Sequence, residues 1–364
     1  MTPRASIRVL VIDDSAFSRR TITRMLETSP LVEVVGAARD GEEALRKSLD
    51  LEPDLITLDL EMPRMDGFTF LRLLMAKNPI PVMVISGRDG EGDVFKALDL
   101  GAVDFVAKPT ARATPELRNI QAELIRKVHA VRELRIAKVK DRIAQAPPVV
   151  IESAETAPEG KDVLSAVVIG SSTGGPSAIM QTLGAFAEPP SCPFLIAQHM
   201  PAGFTRGFAE RLNRLSPFTV KEAEGGEVPL PGTALLAPGG SNLELENIAG
   251  EIRTKIVPSA AGEKYAPSVN RLFKSAALHY GPHLLGVILT GMGDDGRDGA
   301  IAIHEGGGRV IAESEETAVI FGMPQQAIRA GAVDEVVPLH DVPAAIQSVV
   351  ASIGSSKVEG KGLK

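Results

Sequence analysis

From Ile7 to about Lys140, short β-branched runs alternate with segments whose apolar residues recur at helical spacing. "IRVLVIDD", "LVEVVGAA", "DLITLDL", "PVMVIS" and "VDFVAKP" read as five strands. Between them Ser15 to Glu27, Gly41 to Leu49, Phe68 to Lys77 and Gly92 to Leu100 read as helices, with Pro30, Pro53 and Pro79 marking their ends. A charged helix from about Pro115 to Lys140 closes this unit, assigned to residues 1–140. The βα repeat predicts an α/β fold with a doubly wound parallel sheet. Residues 141–163 carry the Pro-, Ala- and Glu-rich stretch "QAPPVVIESAETAPEGKD" with little periodicity, which reads as a linker.

The alternation resumes over residues 164–352. "AVVIGS", "PFLIAQH", "GTALLAP", "HLLGVILTG", "GRVIAES" and "DEVVPL" read as strands, and helices fall around 176–186, 203–215, 267–280, 297–306 and 323–331. This predicts a second, mainly parallel α/β sheet. "NLELENIAGEIRTKIV" alternates about Ala249 and Gly250 and reads as an antiparallel hairpin. The last residues, 353–364, read as a polar, frayed tail.

Composition narrows the function classes. A net charge of −7 over 364 residues, with no long basic run, leaves no footprint for nucleic acid or anionic lipid. No apolar run approaches the roughly 18 residues of a spanning helix, and the first strand reaches two aspartates too early for a signal peptide. The expectation is a cytoplasmic protein. Cys192, the one cysteine, has no internal disulfide partner and reads as a small apolar side chain.

Asp13 and Asp14 end the first strand and Asp59 follows the third, so a doubly wound sheet brings three carboxylates to the crevice at its carboxyl edge. Such charges repel unless a hard cation sits among them, and Mg²⁺ suits this donor set. Ser86 and Lys108, at the ends of the fourth and fifth strands, add a hydroxyl and a cation suited to a phosphoryl group. The quoted strand ends, with "LDLEMPRMDG" and "FVAKP", resemble the receiver domain of bacterial two-component response regulators. That resemblance covers residues 7 to about 128 and implies a flavodoxin-like fold. It also implies Asp59 as phosphoacceptor, Mg²⁺ held by Asp13, Asp14, Asp59 and the Glu61 carbonyl, phosphate contacts from Ser86 and Lys108, and Phe105 as an aromatic switch.

In the second unit "GSSTGG" satisfies G-x-S-x-G, a strand-to-helix turn that exposes its central residue, Ser172, before backbone amides able to bind an oxyanion. A glycine-rich turn of this kind also suits phosphate binding or a bare turn. A serine nucleophile needs a base, and the base an orienting acid. His199 ends the next strand; of the other five histidines, which fit less well, His129, His279 and His304 sit in helical stretches, His283 precedes a strand and His340 follows one. "LTGMGDDGRDG" then delivers Asp294, Asp295 and Asp298, any one of which suits the imidazole; a cation loop is the alternative, although EF-hand spacing is absent.

Together "IGSSTGGP", "AQHMP", "LAPGG" and "LTGMGDDG" resemble the catalytic domain of the chemotaxis protein-glutamate methylesterases, from about Leu164 to Val350. The resemblance implies Ser172 as nucleophile, His199 as general base, Asp295 as orienting acid, and the amides of Thr173 and Met292 as oxyanion donors. It implies a histidine kinase as phosphodonor, methyl-accepting chemoreceptors as substrate, and deamidation of receptor glutamines by the same acyl chemistry. The esterase half needs no cofactor on this reading. A non-enzymatic signalling adaptor, with a second domain that binds a partner or nucleotide, is the competing expectation, and oligomeric state is not legible.

Overall fold

The computed structural model describes residues 6–87, 91–108, 115–130, 166–260 and 262–355. Contacts divide the chain into two compact units, residues 1–145 and 146–364. The expected linker, residues 141–163, lies outside the described residues.

The first unit runs β1 (Ile7–Ile12), α1 (Ala16–Leu26), β2 (Val32–Ala38), α2 (Gly41–Leu51), β3 (Leu55–Leu58), α3 (Gly67–Lys77), β4 (Val82–Ser86), α4 (Glu91–Asp99), β5 (Asp104–Ala107) and α5 (Pro115–His129). Helix starts are set by short polar caps: Ser15, Asp40 and Asp66 each accept a backbone N–H of the first turn. Five parallel strands lie in the order β2-β1-β3-β4-β5, so the chain reverses direction between β1 and β3. Val9, Val11, Met83 and Ile85 form a core with Ile22 and Leu26 of α1 and Leu124 and Val128 of α5. Phe105 is buried and meets Phe95 edge-on at 6.4 Å. The charged fifth helix is described only to His129, with residues 131–165 outside the description.

The second unit runs β6 (Ala166–Ser171), α6 (Gly175–Gly184), β7 (Phe194–Gln198), α7 (Thr205–Leu215), β8 (Thr219–Glu222), β9 (Thr233–Leu236), β10 (Ser241–Ile248), β11 (Glu251–Pro258), α8 (Val269–Tyr280), β12 (Leu284–Ile288), α9 (Arg297–Glu305), β13 (Arg309–Glu313), α10 (Gly322–Arg329), β14 (Glu335–Val337) and α11 (Val342–Ser355). Seven strands pair in the order β14-β13-β12-β6-β7-β9-β8, each pair parallel. The expected hairpin is present as the separate antiparallel pair β10–β11. Leu243 and Leu245 of that hairpin pack with Leu272, Phe273 and Ala276 of α8. A fully buried leucine or phenylalanine of this kind contributes about 1.5–3 kcal/mol.

Two elements depart from the sequence expectation. The sheet has a seventh strand, β8, at its edge, where only Val220 turns inward, so four residues carry almost no apolar signal. The chain end expected to fray from residue 353 is helical to Ser355, and Val342, Ala345, Ile346 and Val349 of α11 are buried. Residues 356–364 lie outside the described residues.

Gly170, in β6, sits where α8 begins: a Cβ there would lie 2.2 Å from Val269 Cγ1. The absence of a side chain lets the helix start close against the strand. Gly170→Ala is therefore expected to destabilise the fold by about 1–3 kcal/mol, the cost of overpacking. A urea denaturation midpoint unchanged from the parent protein would refute this close approach.

Candidate active site

In the second sheet the chain reverses direction between β6 and β12, the switch point at which α/β sheets open a crevice. β6 ends at Ser171, and Gly174, in the left-handed region at φ 78°, turns the chain into α6. Ser172 stands in that turn, 1% exposed; its amide donates to Thr290 O at 3.0 Å and its carbonyl accepts from Gly175 N at 2.8 Å. His199 follows β7, the neighbouring strand, and its amide donates to Ser171 O at 3.0 Å.

The expected side chains meet. Ser172 Oγ lies 3.1 Å from His199 Nδ1, and His199 Nε2 lies 2.8 Å from Asp295 Oδ2. Of the three acids that follow β12, Asp294 and Asp295 in the loop and Asp298 in the first turn of α9, it is Asp295 that reaches the imidazole. Asp294 pairs with Lys264 at 3.5 Å, and Asp298 with Arg297 at 2.8 Å.

Asp295 is buried, and its charge is met by the start of α8. Ser268, the helix cap, donates through Oγ at 3.0 Å, and the amides of Val269 and Asn270 donate at 2.7 and 2.8 Å. Burial pushes the carboxyl up, but His199 and these amides outweigh it and hold the group below the usual carboxylate range. An ionised acid fixes the imidazole proton on the nitrogen facing it, leaving the other nitrogen able to accept from Ser172.

Several supporting residues were not legible as site residues. Gln198 is buried: Ser171 Oγ donates to its Oε1 at 2.6 Å, and its Nε2 donates to the carbonyls of Ser172 and His199, each at 2.9 Å. One amide thus ties together the backbone of both residues. Thr290, which accepts the Ser172 amide, is itself held by the buried Glu313, whose Oε2 accepts the Thr290 amide at 2.7 Å. The amides of Thr173 and Met292 donate no hydrogen bond among the described residues. A Cβ on Gly291 would lie 2.9 Å from Ser172 Cβ, so the loop bearing Met292 passes close against the serine.

At the first sheet, Asp13, Asp14 and Asp59 offer ligand atoms within 4.8 Å of one another, with Asp14 exposed and the others buried. Lys108 Nζ lies 2.7 Å from Asp59 and 3.2 Å from Asp13. Burial, then the nearby Asp59 charge, raise the Asp13 carboxyl above its usual range. Burial opposes the Lys108 ammonium, but Asp59 and Asp13 outweigh it and raise that group. Three convergent carboxylates against one lysine leave excess negative charge, which suits a hard divalent cation. Ser86 is buried at the end of β4, its Oγ donating to Gly87 O at 3.2 Å. Among the described residues, no helix is long and apolar enough to cross a membrane.

Comparison with known proteins bears on both units. Residues 167–346 match the family model described as CheB methylesterase, and residues 9–119 that of the response regulator receiver domain. A protein-glutamate methylesterase/protein-glutamine glutaminase of Geobacter sulfurreducens is 49% identical over 354 residues, spanning 92% of this chain and 94% of that protein. A relative of the same description from Myxococcus xanthus is 47% identical over 96% of this chain and 99% of its own. The crystal structure of the Thermotoga maritima CheB methylesterase catalytic domain aligns with TM-score 0.50 and 40% identity over 51% of this chain and 98% of that one. With relatives this similar along nearly its whole length, the chain belongs to the CheB methylesterase family, its esterase domain preceded by a response regulator receiver domain.

Proposed function

We propose that the second unit is a serine esterase acting on glutamate methyl esters of chemoreceptors, switched by phosphorylation of the first unit. The observation that carries this reading is the continuous contact from Ser172 through His199 to the ionised Asp295, at 3.1 and 2.8 Å. Ser172 Oγ attacks the ester carbonyl while His199 Nδ1 takes its proton. The tetrahedral oxyanion is met by the amides of Thr173 and Met292. His199 then returns the proton to the departing methoxide, which leaves as methanol. Water, deprotonated by His199, attacks the acyl-enzyme; the histidine passes that proton back to Ser172 Oγ as glutamate is released. With a glutamine side chain the same sequence expels ammonia in place of methanol.

In the receiver, Asp59 accepts a phosphoryl group from a chemotaxis histidine kinase. Asp13, Asp14, Asp59 and the Glu61 carbonyl would hold Mg²⁺, which neutralises charge on the phosphoryl oxygens. Lys108 and Ser86 supply a cation and a hydroxyl to those oxygens. The phosphate changes charge at a packed sheet edge, the kind of local event that biases a two-state element and so gates the esterase. On this reading the protein works in the cytoplasm and meets the membrane only through its receptor substrates.

Methanol release from methyl-labelled receptor membranes tests the chemistry. Ser172→Ala is expected to lower it by roughly a thousandfold or more, and release that survives in this variant would overturn the nucleophile assignment. The gate is read in the same assay with a small acyl-phosphate donor. Stimulation is expected to need Mg²⁺ and to vanish in Asp59→Asn or on chelation, so a response to donor that persists in both cases would defeat the proposed switch.

A further inference from the structure

The segment 264–268 has no regular structure, yet it touches the candidate site at three points. Lys264 pairs with Asp294 at 3.5 Å, and Ser268 donates to Asp295 at 3.0 Å. Between them Tyr265 lays its ring flat on His199, with centroids 4.5 Å apart and planes within 10°. The tyrosine is itself held in place. A Cβ on Gly293 would lie 2.4 Å from Tyr265 Oη, so the phenol fits closely against a glycine whose φ is 92°. Lys264 Nζ lies 4.7 Å from the centroid of the same ring.

The hydrogen bonds to Ser172 and Asp295 fix the line through the two ring nitrogens of His199. Each of those bonds tolerates a range of angles, so the ring keeps some freedom to rock about its Cβ–Cγ bond. A flat plate against one face narrows that rocking, since aromatic surfaces in contact keep their interplanar spacing. The plate is also electrostatically suited to the reaction: the face of a phenol ring is negative and attracts a cation set against it. The charge that develops as His199 takes the serine proton would form directly beneath that face. Among the described residues, Asp295 meets this imidazole in hydrogen-bond contact, and the Lys264–Asp294 pair lies beside Tyr265.

We propose that Tyr265 is a positioning residue for the esterase, its ring holding His199 in the plane that joins Ser172 to Asp295 and favouring the imidazolium formed during acyl transfer. This rests on the esterase reading of the same site. It requires an aromatic face and no hydroxyl. Tyr265 is half-buried, so its substitutions leave the core intact.

The test uses the full-length protein, with Tyr265→Phe, Tyr265→Leu and Tyr265→Met compared in two measurements. The first is the rate at which a fluorophosphonate labels Ser172, which reads nucleophile and base without receptor binding. The second is kcat and KM for methanol release from methylated receptor membranes. Tyr265→Leu and Tyr265→Met are expected to lower both the labelling rate and kcat by about tenfold, between the scales of an exposed and a desolvated ring–cation contact, with KM nearly unchanged. Tyr265→Phe is expected to stay within about twofold of the parent protein. Parent-like labelling in the leucine and methionine variants overturns the proposal. So does a phenylalanine variant as impaired as leucine, which would move the role to the hydroxyl, and so does a loss confined to KM. Labelling of the parent that persists in Ser172→Ala, by contrast, removes the esterase reading itself.

Discussion

Asp295 is a negative charge kept out of water, and the geometry of the second unit follows from how that charge is satisfied. Burying a lone carboxylate costs several kcal/mol, and the field at a helix start returns at most about 2 kcal/mol. The difference has to come from charge-assisted hydrogen bonds, worth about 1.5–3 kcal/mol each. Ser268, Val269 and Asn270 supply three of them, and His199 a fourth. The start of α8 must therefore sit directly behind the β12 loop. Gly170 permits this, because any side chain at that point of β6 would meet Val269. The serine turn, the acid loop and the helix start are thus one packing unit.

The receiver handles buried carboxylates differently. Asp13 and Asp59 share Lys108, and the start of α1 supplies Asp13 with one amide, that of Ser15 at 2.8 Å, which is too little to offset burial and the neighbouring charge. Asp13 is accordingly raised by burial and by its neighbour, whereas Asp295 is held down. Two clusters at the carboxyl edges of similar sheets are tuned in opposite directions. One is saturated with donors and has a fixed charge; the other is left short of positive charge and open to an incoming cation.

Much of this was legible because strand ends announce themselves. A β-branched run broken by Gly-Ser-Ser-Thr-Gly-Gly locates Ser172, and an apolar run closing on His199 locates its neighbour, since parallel strands bring their ends to one edge. Among Asp294, Asp295 and Asp298, spacing alone did not choose; the choice is made by the amides of α8, which lie 25 to 26 residues away in sequence. Gln198 was hidden inside an apolar strand, and Tyr265 in a stretch with no period to read. β8 has one inward residue and so no pattern. In α11 the signal was present, since Val342, Ala345, Ile346 and Val349 recur at helical spacing ahead of the polar end at 353–364.

The amide of Gln198 spends both its hydrogens and its oxygen inside the protein, on Ser171, Ser172 and His199. Serine and histidine are therefore moored to one side chain, and neither can be shifted without unfastening the other. Any drift in substrate preference along this lineage must leave the β6–β7 edge untouched. The segments 264–268 and 291–296 are bound in the same way, through Tyr265 and Ser268 on one side and Asp295 on the other, so such drift is confined to positions of the crevice that touch none of these residues.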